Sequence, residues 1–203
     1  MQESEITADI TKESFDKYIK RFTKELGIPE IKHRVSFMIL ERGKPLDNRI
    51  KITNGRAKIV QKLKTPPNSL GKRVNEEIEI DISNNLVSIK DAIKLLQHFY
   101  DIYNIQPLKL IVQHENYIWL KKDYELKIAK QFGKQDLYLY EIETLSNITP
   151  ESIQNKLGIK ADFDSFSLER QALRRNDIDI PFDELKENEL DEIILKYLNY
   201  KNY

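Results

Sequence analysis

The 203-residue chain carries 33 basic and 33 acidic side chains, so its zero net charge excludes binding of nucleic acid or anionic membrane through bulk charge. It has no cysteine, which excludes disulfides, thiolate metal ligands and a cysteine nucleophile. No apolar run approaches the ~20 residues of a membrane span, and the acidic N-terminal residues lack the features of a signal peptide. We therefore expect a cytoplasmic protein with no membrane partner.

The first part of the chain predicts one helix among several strands. A short strand over 2–8 precedes a helix that Thr11 caps and Gly27 ends. Alternating apolar residues then predict strands at 33–41, 47–53, 57–64 and 75–82. Between the second and third of these, Asn54-Gly55 is a strong signal for a tight hairpin turn.

A second helix begins the rest of the chain. Ser88, followed by Asp91 three residues later, indicates its start, and its buried stripe is predicted to be Ala92, Leu95, Phe99 and Tyr103. Strands follow from Pro107 to about Leu120, at 124–129 and at 136–145. From Thr149-Pro150 onward the pattern is helical.

These elements predict an α+β fold: an eight-stranded antiparallel β tunnel or barrel, amphipathic helices packed outside, and a C-terminal helical extension. We expect residues 1–148 to form the tunnel domain and residues 149–203 to form the extension packed on it.

The charges in the first half change sign abruptly. Eight basic residues and no acid occupy 49–73, and four acids then follow between Glu76 and Asp81. Many charges alternate with aliphatics, as in Arg49-Ile50-Lys51-Ile52, so a strand would carry all its charges on one face. A cationic row beside an anionic row suits a substrate with several phosphates held together with a divalent metal.

The alternation permits two arrangements of the charged face. An antiparallel sheet commonly has one solvated face, and then the charges would simply face water. Alternatively, the helices cover the aliphatic face formed by Ile50, Ile52, Ile78 and Ile80, and the charged face lines a polar tunnel. The segregation of charges by sign favours the tunnel.

The order of the charged motifs resembles the CYTH, or triphosphate tunnel metalloenzyme, superfamily. The motifs are Glu3-Ser4-Glu5, Arg49-Ile50-Lys51, Val60-Gln61-Lys62, Glu77-Ile78-Glu79 and Glu141-Ile142-Glu143, and they span about residues 3–145. The superfamily includes class IV adenylyl cyclases, thiamine triphosphatases, inorganic triphosphatases and RNA triphosphatases.

The resemblance implies roles for eleven residues. Metal binding, to Mg²⁺ or Mn²⁺, is implied for Glu3, Glu5, Glu141 and Glu143. Substrate phosphates are implied to contact Arg49, Lys51, Lys62, Arg73 and His114. A catalytic role is implied for the acidic side chains of Glu77 and Glu79. Hard divalent ions prefer carboxylate oxygens, which agrees with this division.

The chain departs from the superfamily pattern at two positions. The first motif of the superfamily is Glu-x-Glu-x-Lys, and here Thr7 stands in place of the lysine. In the superfamily, the strand that corresponds to the one after Pro107 usually carries a lysine or arginine, and here His114 stands in its place. An unperturbed histidine titrates near about 6.5, so these departures make an altered or weakened site an alternative.

The resemblance implies a metal-dependent phosphohydrolase acting on tripolyphosphate or on a nucleoside or organic triphosphate. One alternative is a class IV-type adenylyl cyclase that forms cyclic AMP from ATP. Another, from a different class, is a phosphate- or nucleotide-binding module without turnover. Nucleic acid is not an expected partner, except for an RNA 5′-triphosphate end, and the sequence leaves the oligomeric state open.

Overall fold

The structure, a computed structural model, describes residues 3–41, 44, 46–64, 73–133, 135–144, 148–162 and 180–200. The strands in this part are β1 (Glu3–Ile10), β2 (Glu30–Leu40), β3 (Leu46–Thr53), β4 (Arg56–Lys64), β5 (Arg73–Asp81), β6 (Leu108–Leu120), β7 (Tyr124–Phe132), β8 (Leu137–Thr144) and the short β9 (Ile180–Pro181). The α-helices are α1 (Lys12–Leu26), α2 (Leu86–Ile102), α3 (Pro150–Leu157) and α4 (Glu187–Leu198).

The predicted α+β fold with eight antiparallel strands is confirmed. The strands pair in the order β2-β3-β4-β5-β1-β8-β7-β6-β9, and β2 also pairs with β6, which is consistent with the tunnel-like barrel that we expected. The division of the chain at residue 148 stays a prediction. Within the described ranges no helix is long and apolar enough to cross a membrane, and the cytoplasmic location also stays a prediction.

The chain divides into two compact units, and the first consists of Met1–Lys32, Thr65–Glu76 and His114–Ile178. Its core is the aliphatic face of β1, β7 and β8, on which α1 and α3 pack. Phe22 of α1 is fully buried there and makes an edge contact with Trp119 of β6, with the ring centroids 5.9 Å apart. The first unit therefore has its own apolar core.

The second unit consists of His33–Lys64, Glu77–Gln113 and Asp179–Tyr203. Its core lies between the aliphatic face of β2 and β3 and the helices α2 and α4. Ile50 and Ile52 are fully buried in this core, beside Ile89 of α2 and Ile194 of α4. The helices thus cover the aliphatic face of β3, as the tunnel arrangement requires, and the charged residues of β3 lie on its opposite face.

Two of the aliphatics predicted to support the helices do not do so. Ile78 and Ile80 of β5 are 61% and 57% exposed. Alternation correctly places them on the face opposite Glu77 and Glu79, but α2 and α4 cover β3 and leave this part of β5 open. The prediction that Ile78 and Ile80 are covered is therefore wrong.

The buried stripe of α2 is also displaced from the predicted one. Ala92 is buried, but Leu95, Phe99 and Tyr103 are exposed, and the stripe instead consists of Ile89, Ala92, Ile93, Leu96 and Tyr100. The Tyr100 hydroxyl accepts a hydrogen bond from Asn48 Nδ2 at 2.9 Å and donates one to the carbonyl of Ile39 at 3.2 Å. The aromatic residue of α2 that faces the strands is therefore the tyrosine, whose hydroxyl forms hydrogen bonds with polar groups of β2 and β3.

The start signals agree with the structure at two helices and differ at one. Thr11 caps α1 and Thr149 caps α3, each accepting from a backbone N–H three residues on. In α2 the cap is Asn85, whose side chain accepts from the N–H of Ser88 at 2.9 Å. The helix therefore starts before Ser88, because the asparagine side chain satisfies one of its first free N–H groups.

Candidate functional site

Three glutamates form a carboxylate cluster in the first unit: Glu5 on β1, and Glu141 and Glu143 on β8. The two strands are antiparallel neighbours, and their register places Glu5 opposite Glu143 and Thr7 opposite Glu141. Because Ile6 and Ile142 alternate with these residues and are buried in the core, the glutamates share the other face. Each of the three offers a carboxylate oxygen, and these oxygens lie within 4.8 Å of one another.

The carboxylate cluster fits a small hard cation. Two oxygens that each lie about 2.1 Å from one Mg²⁺ can be at most about 4.2 Å apart, so minor side-chain adjustments would bring the cluster to bonding distance. All three ligands are carboxylates. Mg²⁺ and Mn²⁺ prefer such oxygen ligands, whereas softer metals prefer nitrogen and sulfur. The cluster could thus hold the metal implied for Glu5, Glu141 and Glu143.

Burial makes the carboxylate cluster electrostatically unfavourable without a cation. Desolvation raises the pKa of Glu143 to about 8, against the lowering effect of Lys127 and with a further raising effect from the neighbouring Glu141. The ammonium of Lys127, on β7, lies opposite Glu141 in the strand register, donates a hydrogen bond to it and lies 3.8 Å from Glu143. One positive charge is therefore already placed among the three carboxylates.

The second unit carries an ion-pair network formed by Lys51 of β3, Lys58 and Lys62 of β4, and Glu77 and Glu79 of β5. Lys51 donates to Glu79 and lies 3.5 Å from Glu77. Lys58 donates to Glu79 at 2.7 Å, and Lys62 lies 3.7 Å from Glu77. The cationic and anionic rows predicted from the sequence therefore occupy one face and pair with each other.

The pKa shifts in this network follow from the pairing. Burial raises the pKa of Glu79, but the hydrogen bonds from Lys51 and Lys58 outweigh it and bring the value to about 2. Burial lowers the pKa of Lys51, and the neighbouring Arg34 lowers it further, against the raising effect of the two glutamates. Glu79 therefore stays ionised at neutral pH and is a weak proton acceptor, which suits it to holding the two lysines.

Arg49, on the same strand as Lys51, is paired within its own strand. Its guanidinium donates two hydrogen bonds to the carboxylate of Asp47, which is 1% exposed. Because Asp47 is buried and fixed, it holds the guanidinium on the charged face of β3. Arg49 is thus positioned, but its charge is largely balanced by this aspartate.

The remaining predicted residues are placed only in part. The backbones of Glu3 and Arg73 belong to β1 and β5, and the register pairs Arg73 with Glu5, but the side chains of both lie outside the described part. His114 is half-buried on β6. The roles of these three residues stay predictions.

Thr7, which stands where the superfamily has a lysine, is directed at the carboxylate cluster. Its hydroxyl donates to Glu141 Oε2 at 3.4 Å. The position therefore supplies a neutral hydrogen-bond donor to a glutamate instead of a positive charge.

Among the described residues, three cations near these groups received no site role from the sequence: Arg34, Lys58, which was counted only in the cationic row, and Lys127. Alternation could have found each of them, because Lys127 lies between Leu126 and Ile128, both fully buried, and must share the opposite face. What the sequence lacks is a sign that this lysine is only 9% exposed. A lysine between aliphatics usually indicates a solvated strand face.

No protein-family profile and no curated protein matches the sequence. Solved structures do match its fold. The PH1819 protein of Pyrococcus horikoshii OT3 is 17% identical with a TM-score of 0.56, over 86% of this chain and 99% of its own. HpAC1 of Hippeastrum, a candidate adenylyl cyclase described as having a dominant triphosphatase activity, is 16% identical with a TM-score of 0.53, over 85% and 95%.

A chain of the Schizosaccharomyces pombe Mediator head module matches as well, at 12% identity and a TM-score of 0.53, over 80% of this chain and 97% of its own. The chain therefore shares its fold with these solved structures, which agrees with the fold that its motifs indicated. Because one fold hosts unrelated functions, the function has to be argued from the charged residues.

Proposed function

We propose that this protein is a metal-dependent phosphohydrolase that cleaves a triphosphate-containing substrate, with Mg²⁺ or Mn²⁺ as cofactor. The observation that carries the proposal is the carboxylate cluster, in which Glu5, Glu141 and Glu143 present oxygens within 4.8 Å of one another on adjacent strands. The described triphosphatase activity of HpAC1, which shares the fold, supports the choice of reaction.

The carboxylate cluster would hold the metal, and a bound divalent ion supplies Lewis-acid stabilisation of phosphoryl charge. Glu141 and Glu143 come from one strand and Glu5 from its neighbour, so the ligands are fixed by strand pairing. A site built on paired strands holds its ligands more precisely than a site built on loops.

The lysines of the ion-pair network would bind the phosphates. Lys51 and Lys62 are half-buried, with side chains 15% and 14% exposed, and both contact glutamates. A triphosphate carries several negative charges, so it can replace the glutamates as partner of these lysines. Glu77 and Glu79 would then hold the lysines in position before substrate arrives, and their predicted catalytic role stays part of the proposal.

The test measures binding and turnover separately. Purified protein is incubated with tripolyphosphate, ATP or an RNA 5′-triphosphate, each with Mg²⁺ or Mn²⁺, and calorimetry follows Mn²⁺ binding. Glu141→Gln with Glu143→Gln should abolish Mn²⁺ binding and phosphate release. The matched control is Glu184→Gln with Glu192→Gln, two exposed glutamates, which should leave both unchanged. Mn²⁺ binding that survives in the Glu141, Glu143 double variant would refute the metal role.

A second candidate function is the formation of cyclic AMP from ATP. Two proteins with this fold are described as candidate cyclases: HpAC1, and an adenylate cyclase of Bacillus halodurans. The Bacillus protein is 15% identical with a TM-score of 0.51, over 82% of this chain and 95% of its own. Chromatography of the ATP reaction separates the two reactions. Cyclic AMP with pyrophosphate identifies the cyclase, and ADP with phosphate identifies the phosphohydrolase. Binding of tripolyphosphate without any product would identify the non-catalytic module, which the neutral Thr7 favours.

A further inference from the structure

Lys127 occupies a defined row of the sheet together with Thr7 and Glu141. The register pairs Thr7 of β1 with Glu141 of β8, and Glu141 with Lys127 of β7. Both neighbours donate to the central carboxylate: the ammonium of Lys127 to Oε1 and the hydroxyl of Thr7 to Oε2. The positive charge of this row therefore comes from β7, two strands away from Thr7.

The ammonium of Lys127 lies in a largely buried position beside the carboxylate cluster. Its side chain is 9% exposed, and the adjacent Leu126 and Ile128 are fully buried. A buried ammonium is tolerated only when it is paired and hydrogen-bonded. Glu141 supplies the hydrogen bond, and the carboxyl group of Glu143 lies 3.8 Å away. Lys127 is thus the resident cation of two of the three proposed metal ligands.

A divalent ion would need the same carboxylate oxygens. An ion bound by Glu141 and Glu143 would lie beside the ammonium, and two positive charges a few ångströms apart repel strongly in a partly buried site. The ammonium sits at the end of a flexible four-carbon stem, so it can move while the strand stays in place.

We propose that Lys127 and the divalent ion are alternative cations of the carboxylate cluster, and that the ammonium displaced by the ion becomes a ligand of the substrate's phosphate. This inference rests on the proposed function, and it specifies how metal and substrate assist each other. Metal alone binds weakly, because it must displace Lys127. A phosphate gives the displaced ammonium a new partner, so substrate tightens metal binding, and by linkage metal tightens substrate binding by the same factor.

The experiment titrates Mn²⁺, by calorimetry or by the loss of its free EPR signal, with and without tripolyphosphate. Lys127→Met should tighten the binding of Mn²⁺ alone by about tenfold or more, and should largely remove the tightening caused by tripolyphosphate, which in the native chain should lie in the usual coupling range of about 5–150-fold. Lys127→Arg, which keeps the charge, should retain weak binding of Mn²⁺ alone.

Lys130→Met is the matched control. Lys130 lies on the same strand but on the opposite face, and it pairs with Asp136 at 2.7 Å. This variant should bind Mn²⁺ as the native chain does. Far-UV circular dichroism checks folding, and Lys127→Gln replaces Lys127→Met if the latter does not fold.

The outcomes separate the inference from the function on which it rests. If the native chain binds Mn²⁺ and the Lys127→Met or Lys127→Gln variant binds it equally or more weakly, the competition is refuted while the metal site stands. If neither the native chain nor any variant binds Mn²⁺, with or without tripolyphosphate, the proposed function fails and the inference fails with it.

Discussion

The two charged regions use the same residue types in opposite proportions. In the carboxylate cluster of the first unit, three glutamates lie together and two of them contact a lysine that is 9% exposed. In the ion-pair network of the second unit, three lysines share two glutamates, and the exposed fractions of these side chains range from 14% to 34%. Burial decides what each pair contributes: a buried charge depends on its partner, whereas a partly exposed one can turn to water or to a ligand.

The largest expected effect comes from removing the partner of the buried lysine. Glu141→Leu removes the carboxylate to which the Lys127 ammonium donates, and should lower the free energy of unfolding by about 3–5 kcal/mol. Adding Lys127→Met should restore most of that loss, because the charge is then gone as well. Urea denaturation of the native chain and both variants measures this. A double variant no more stable than Glu141→Leu would contradict the view that the buried charge is the cause.

The next effect concerns the hairpin turn of the second unit. Gly55 has φ +79°, and a Cβ there would lie 2.9 Å from the carbonyl oxygen of Leu198 and 3.2 Å from that of Tyr200. The left-handed conformation alone costs a non-glycine residue about 1–2 kcal/mol. Gly55→Ala should therefore lower the free energy of unfolding by more than this amount. Gly158→Ala is the control, since Gly158 is also left-handed, with φ +58°, but its added Cβ would lie no closer than 3.9 Å to the Arg21 guanidinium. Equal losses of stability for the two variants would show that the close approach has no cost.

A smaller effect is expected at the exposed edge of the ion-pair network. The Lys58 side chain is 34% exposed and pairs with Glu79, so Lys58→Ala should lower the free energy of unfolding by less than about 1 kcal/mol. The comparison with Glu141→Leu is direct, since each variant breaks a hydrogen-bonded lysine–glutamate pair, and Lys58→Ala in addition removes a 3.8 Å contact with Asp81. A loss as large as that of Glu141→Leu would remove the distinction between the two regions.

The smallest effect is a pH dependence at Glu79. Its pKa is about 2 in the folded protein against an ordinary value of 4.5, so its contribution to stability is complete above pH 4.5 and is lost as pH falls toward 2. Glutamine does not titrate, so the stability difference between the native chain and Glu79→Gln should shrink over that window. Urea denaturation at several pH values measures this difference. A difference that stays constant with pH would show that the two lysines do not hold the carboxylate ionised.

Local sequence patterns predicted the strands, the hairpin turn and the strand face on which most of the charged residues lie. Alternation placed Lys51, Glu79 and Glu141 on the charged faces, and Asn54 and Gly55 both have the positive φ values of the expected turn. Alternation states which residues share a face, because that depends only on the period of the strand.

Whether a strand face is buried or exposed depends on which helices and strands pack against it. These elements are distant in sequence, so local patterns could not predict the burial. The exposure of Ile80 and the burial of Lys127 follow from where the helices and neighbouring strands lie. The sequence also could not show that Tyr100 of α2, and not Phe99, faces the strands, since this depends on hydrogen bonds of Tyr100 to β2 and β3. The metal and phosphate roles of the charged residues remain predictions.

The hairpin between β3 and β4 also has a consequence for biosynthesis. The N–H of Gly55 donates to the carbonyl of Tyr197, and Ile50 packs in the same core as Ile194. At about 5–20 residues per second, a ribosome would deliver α4 roughly ten seconds after this hairpin. During that interval the aliphatic side of the nascent hairpin lacks one of its two covering helices, so it is an expected binding surface for chaperones.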